Sequence, residues 1–260
     1  MMIGLLYFTV IVLANTIGAI SGMGGGVIIK PALDFIGADS VASVSFFSTV
    51  AVFTMSLVAT LRQLKSGTKL NWILISWISI GAIIGGMIGN TAFEFLLSFY
   101  PDEATVKLIQ IGLTIVLLLF AFLQTKYDWK SFQLNHHWWY LVCGLVLGFL
   151  ASLLGIGGGP INVSLLMLLF SMPIREATIY SIATIFFSQL SKIVTIAVTS
   201  GFARYDLTML AFVIPAAILG GLLGARANTI LSPAKITIVF QWVIVLVLVM
   251  NLYNGWQIIR

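Results

Sequence analysis

Charge is what this sequence has least of. Only 8% of its 260 residues are Asp, Glu, Lys or Arg, while 60% are hydrophobic; a soluble domain carries about a quarter charged residues. From His137 to Ile174 no side chain bears a formal charge. No soluble exterior can be covered from this inventory, which excludes an aqueous enzyme, a nucleic-acid binder and a secreted disulfide domain. The net charge of +5 does not reopen the second of these. Its Lys and Arg residues are scattered between apolar runs rather than gathered on one face. Cysteine is as scarce: Cys143 stands alone in an apolar run, leaving neither a disulfide framework nor a thiolate metal site. His136 and His137 lie at the edge of such a run, without a carboxylate or thiolate to complete a metal site. No Gly-Lys dipeptide exists for a nucleotide-binding loop, and no histidine lies at depth beside a nucleophilic serine. The sequence therefore predicts no catalytic residue, no metal and no cofactor.

What the chain does have is long apolar stretches, near 3–29, 41–61, 71–93, 108–125, 138–172, 177–200, 207–225 and 236–258. A helix needs about 20 apolar residues to cross ~30 Å of hydrocarbon, whereas a barrel would show short alternating segments. The fold expected is an all-α integral membrane protein of about eight transmembrane segments, with the lipid bilayer as a partner. The N-terminal run lacks a basic leader and continues into a glycine motif, so no cleaved signal peptide is expected. If each stretch crosses once, both termini share a face with Arg62, Lys65, Lys69, Lys126, Lys130, Arg204 and Arg260. Lys107, Arg175, Arg226 and Lys235 lie opposite. Seven against four predicts cytoplasmic termini by the positive-inside rule. Tyr127, Trp129, Trp138, Trp139, Tyr140, Tyr253 and Trp256 stand where an interfacial belt would place them.

The chain also repeats itself. Gly22-Met23-Gly24-Gly25-Gly26 returns 133 residues later as Gly155-Ile156-Gly157-Gly158-Gly159, and Gly85-Gly86-Met87-Ile88-Gly89 returns 135 later as Gly220-Gly221-Leu222-Leu223-Gly224. The expected organisation is two pseudo-symmetric repeats of four segments, 1–130 and 131–260, in one membrane domain. Gly81, Gly85, Gly89 and Ala216, Gly220, Gly224 are spaced by four, which lets helix backbones approach closely in lipid. The triple glycines are poor helix material, each residue costing about 1 kcal/mol relative to Ala, and each run interrupts a stretch too long for one straight crossing. The first segment of each repeat is therefore expected to break there and restart as a shorter helix near Val27 or Pro160, proline suiting the first helical position. If the glycine segments fail to cross, the two halves become inverted; the charge count favours crossing.

A helix that starts at membrane depth leaves its first N–H groups unpaired, with the positive end of its dipole toward the loop. Glycine lets an anion approach that backbone closely. Gly22, Gly24, Gly25, Gly26, Gly155, Gly157, Gly158 and Gly159 are thus candidate ligands for one small anion. Lys192, a cation within an apolar stretch, joins them, against the bland reading of a snorkelling lysine. Lys30 is weighed against simple pairing with Asp34 one turn on, and Asn162 against helix packing. Arg175-Glu176, Asp102-Glu103 and Arg204-Asp206 read as solvated loops, and Glu94 as the one carboxylate placed to carry a coupling proton.

The run Gly22 to Leu33 with Ala42 to Ser45, and Gly155 to Pro160 with Ala177 to Ser181 and Ser188 to Lys192, resembles the TauE/SafE (sulfite exporter) family of permeases. The resemblance covers nearly the whole chain. It implies a secondary transporter of a small anion, a sulfur oxyanion or organosulfonate such as sulfite, in the cell membrane. One departure stands out: after Pro160 the second motif continues Ile161-Asn162, without the Lys30-Pro31 of the first. An anion channel and a non-transporting scaffold subunit are the alternatives.

Overall fold

The computed structural model describes residues 2–65, 71–127 and 129–260. All regular structure among them is helical: α1 (Met2–Ser21), α2 (Gly26–Ile36), α3 (Val41–Lys65), α4 (Trp72–Phe99), α5 (Glu103–Tyr127), α6 (His137–Leu154), α7 (Pro160–Phe170), α8 (Ile174–Thr199), α9 (Leu210–Ile230, entered by a 3-10 turn at Leu207–Met209) and α10 (Pro233–Ile259). Eight of these are long and apolar enough to cross a membrane; α2 and α7 are the short ones, at 11 residues each.

Both glycine segments reverse the chain. Gly25 lies against Asn15, Gly24 against Gly18, and the Tyr7 hydroxyl donates to Asp39 at 2.5 Å, so α2 runs back along α1. In the second half the Tyr140 ring meets Phe170 at 4.3 Å between centroids, and α7 returns along α6 in the same way. The stretches 3–29 and 138–172 are accordingly helical hairpins, each a long helix and a short return, and not single interrupted crossings. Backbone chemistry explains the reversal: Gly22 and Gly24 have φ of +73°, and Gly155 to Gly159 hold four more positive φ values, a region closed to most side chains.

The halves interlock. α1 lies parallel to α9, and α4 parallel to α6, through glycines at which no Cβ fits. A Cβ on Gly85 would stand 2.0 Å from the Leu145 carbonyl oxygen, and one on Gly220 2.8 Å from that of Val12. These are the small-residue rows read in the sequence, now with their partners. α3 and α8 cross antiparallel at the centre, Ser45 beside Lys192 and Phe53 stacked on Phe186 at 5.3 Å. Following the chain, α1 and α6 run in opposite directions, as do α3 and α8.

The reversals regroup the surface charges. The face carrying both termini, called here the terminal face, also holds the turns at 37–40, 100–102 and 200–206. It has Lys107, Arg204 and Arg260 alongside Asp34, Asp39, Glu94, Asp102, Glu103 and Asp206. The opposite face has Arg62, Lys65, Lys126, Lys130, Arg175, Arg226 and Lys235, with Glu176 as its described acid. Lys69, counted in the sequence reading, lies outside the described residues. The grouping that put Arg62, Lys65, Lys126 and Lys130 beside the termini is corrected, because it gave each glycine stretch one crossing.

Candidate functional site

The two glycine turns meet. The Gly159 amide donates to the Met23 carbonyl at 2.7 Å, and a Cβ on Gly24 would stand 3.2 Å from the Gly157 carbonyl oxygen. The neighbours are Val52 and Ile185, near the middle of α3 and α8, and every residue from Ser21 to Pro31 and from Ala151 to Ser164 is buried. The duplication extends to the contacts: Gly22 packs on Thr178 and Gly155 on Ser45, while Gly24 packs on Ile185 and Gly157 on Val52. Each pair maps on the other at the 133-residue separation of the motifs. α2 and α7 start at these turns, so the positive ends of two opposed helices point at one place in the interior.

Capping is sparse there. Ile28 and Ile29 amides return to the Gly25 carbonyl at 3.0 and 2.9 Å, and neither short helix has a side-chain cap. Polar atoms without a hydrogen-bond partner cluster at the turns instead: Asn15 Oδ1, Ser48 Oγ, Ser152 Oγ, Asn162 Oδ1 and Ser164 Oγ. A buried polar atom left unpaired costs about 1–3 kcal/mol, so this shell is held by the surrounding fold.

Lys192 reaches this centre. It is 1% exposed, and its Nζ donates to Ser45 Oγ and to the Ser152 carbonyl, both at 2.9 Å. The Phe93 ring lies 5.2 Å away. Ser152 sits in the last turn of α6, the negative end of that helix, which favours a cation. An ammonium has three donors; two are engaged here. The snorkelling reading does not describe this side chain, which points into the protein.

Asn162 lies beside Gly158, its Nδ2 2.9 Å from where a Cβ would be. Lys30 does not join the group: it pairs with Asp34 at 3.2 Å, the bland reading of the sequence. Glu94 is bonded by Arg204, which keeps that guanidinium above its ordinary pKa; Tyr205 beside it stacks on Phe46 at 4.1 Å. Sequence reasoning missed Asn15, Ser45, Ser48, Ser152, Ser181 and Phe93. Ser48 and Ser181 carried a signal, since they are duplicates at the motif separation, and Ser181 donates to the Gly22 carbonyl at 2.5 Å.

The model of the family described as sulfite exporter TauE/SafE matches residues 7–251. The chain belongs to the TauE/SafE family. Among curated relatives, "Probable membrane transporter protein YunE" of Bacillus subtilis (strain 168) is 29% identical over 262 residues, covering 94% of this chain and 95% of that one. "Probable membrane transporter protein MJ0441" of Methanocaldococcus jannaschii is 26% identical over 178 residues, 66% of this chain and 64% of its own. No solved structure matches the chain. This TauE/SafE protein is thus a multi-pass membrane protein whose relatives are named as transporters.

Proposed function

We propose that this TauE/SafE protein is a secondary transporter that carries a small anion, a sulfur oxyanion such as sulfite, through a site formed by the paired glycine turns, Asn162 and Lys192. One observation carries the reading: two opposed helix starts converge on a buried shell of unpartnered polar atoms, with the ammonium of Lys192 alongside. That arrangement offers positive potential and close backbone approach to a solute of a few atoms. The direct bond from Gly159 to Met23 supports a carrier, not an open pore, because the turns must part for a solute to pass.

We also propose that the terminal face is the outer one. The opposite face carries seven described cations against three, and cytoplasmic faces hold the Lys and Arg excess. The scarcity of charge and the eight long apolar helices support the cell membrane as its location.

The test is flux of sulfite from loaded proteoliposomes, with sulfate, thiosulfate and acetate as comparisons. Sulfite efflux well above protein-free vesicles is expected, and Gly24→Val and Gly157→Val should abolish it while helix content by circular dichroism stays unchanged. At both positions φ is positive, and on Gly157 a Cβ would stand 2.7 Å from Val52. Normal flux in both variants would mean that the turns only space the helices.

A further inference from the structure

Between α2, α5 and α10 the protein gathers three charges that the central site does not use, two of them buried and the third, Lys107, part-exposed. Asp34 stands between two lysines, Oδ2 3.2 Å from Lys30 and Oδ1 3.3 Å from Lys107. The side chains of Lys30 and Asp34 are each 6% exposed, that of Lys107 19%. The cluster is a partition. On its outer side a polar cavity of about 230 Å³ is lined by Asp34, Lys107, Tyr253, Asn254 and Gln257. On its inner side the space shrinks to about 10 Å³, room for one water at most, lined by Lys30, Asp34, Gln110, Thr114, Ile156 and Asn251. The inner end is thus shut while Asp34 bridges the two lysines. Ile156 belongs to the second glycine turn. Asp34 is common to both cavities.

We propose that this cleft is the route by which the anion reaches the paired turns from the terminal face, Lys30 and Lys107 forming its first binding pair and Asp34 being the resident carboxylate that it displaces. The inference rests on the anion-transport reading above and adds a second, peripheral anion site. Two cations and one carboxylate leave a net positive charge that selects for an anion. Gln110 donates to the Leu153 carbonyl at 2.7 Å, while its own Oε1, on a residue 2% exposed, has no partner. That acceptor takes a donor only from a water or from the hydroxyl of a protonated oxyanion, so it marks the space as polar, and the selection for an anion rests on the two lysines.

Packing does not demand these charges. At the motif separations, the second half holds Val163 in place of Lys30, Met167 in place of Asp34, Trp242 in place of Lys107 and Val245 in place of Gln110. The duplicated position is built without a charge, and a buried ion pair adds little stability over well-packed apolar residues. Charge inside a membrane protein marks solute pathways more often than scaffolding. Along the same line, α2 carries Pro31 in its interior, whose carbonyl accepts from Asn254 Nδ2 at 2.9 Å, tying the α2 wall of the cleft to α10.

The test uses the full-length protein with Cys143→Ser and a single Thr114→Cys probe in sealed vesicles of known orientation. Two thiol reagents of similar size are compared, sulfonatoethyl methanethiosulfonate (anionic) and trimethylammonioethyl methanethiosulfonate (cationic). From the terminal face the anionic reagent should react ~10-fold faster or more. Lys107→Gln should remove that preference, and Asp34→Asn should raise the anionic rate. No labelling, equal rates for the two reagents, or labelling from the opposite face alone would each overturn the proposal. Lys107 is part-exposed, so Lys107→Gln keeps the test decisive if Asp34→Asn does not fold. Failure of the transport reading is separable: Gly24→Val is expected to stop sulfite flux and leave Thr114→Cys labelling as it was. Labelling as expected with no flux of any anion would leave the route standing and remove the transport reading.

Discussion

At the scale of the residue, the proposed site turns on Lys192. Two of the ammonium's donors are taken by Ser45 and Ser152 at 2.9 Å, which leaves one for the proposed anion, and a hydrogen bond to a charged group is worth about 1.5–3 kcal/mol. Lys192→Ala is therefore expected to weaken sulfite affinity ~10- to 100-fold, and Lys192→Arg, which keeps the charge, to weaken it less. Isothermal titration of the purified protein reads this; equal loss in both variants, or none in Lys192→Met, would make the residue a packing element. Lys192 was legible as a candidate because a lone cation in an apolar run is conspicuous. Its partners were not. Ser45 and Ser152 lie 147 and 40 residues away, and serines are common enough in membrane helices that only their placement marks them.

At the scale of the element, the glycine rows show what close packing requires. On α4 and α6 the missing Cβ atoms face carbonyl oxygens, 2.1 Å at Gly81 and 2.0 Å at Gly85 and Gly144, so the helix backbones touch. Gly85→Ala is expected to destabilise by about 1–3 kcal/mol through overpacking, lowering the melting temperature by several degrees. Gly112, inside α5, has nothing within 4 Å of its Cβ position. Gly112→Ala should raise stability by about 1 kcal/mol from helix propensity, ~2 °C in a thermal-shift assay. Opposite signs from the same substitution would be the mark of interhelical contact at one site and open space at the other. The spacing by four announced such rows in the sequence, because every fourth residue shares a helix face. The partner helix was silent there, since any apolar helix could have supplied it. Helix ends were also readable: α7 starts at Pro160, the restart that proline chemistry favours.

At the scale of the whole molecule, the decisive fact is that α2 and α7 turn back. A reporter fused after Arg260 is expected to be active as an exported alkaline phosphatase and inactive as a cytoplasmic fluorescent protein, since the terminal face is proposed to be outside. The reverse result would restore the cytoplasmic termini predicted from the unfolded charge count. Apart from Lys69, which lies outside the described residues, that count and the present one use the same residues and differ in whether a glycine stretch crosses.

Composition and periodicity by themselves determined the solvent and the helical class, and marked the recurring glycine motifs at which α1 and α6 end. All of these follow from local chemistry: apolar length, the conformational range of glycine and the missing amide of proline. Only the tertiary structure decided that the breaks are hairpins, that the halves oppose one another, and that Met23 and Gly159 end within a hydrogen bond at the centre. The direction a chain takes after a flexible glycine turn is set by what the next helix packs against. For α2 that surface is shared between α1 and α3 of its own repeat and α10 of the other, and for α7 between α8 and α5.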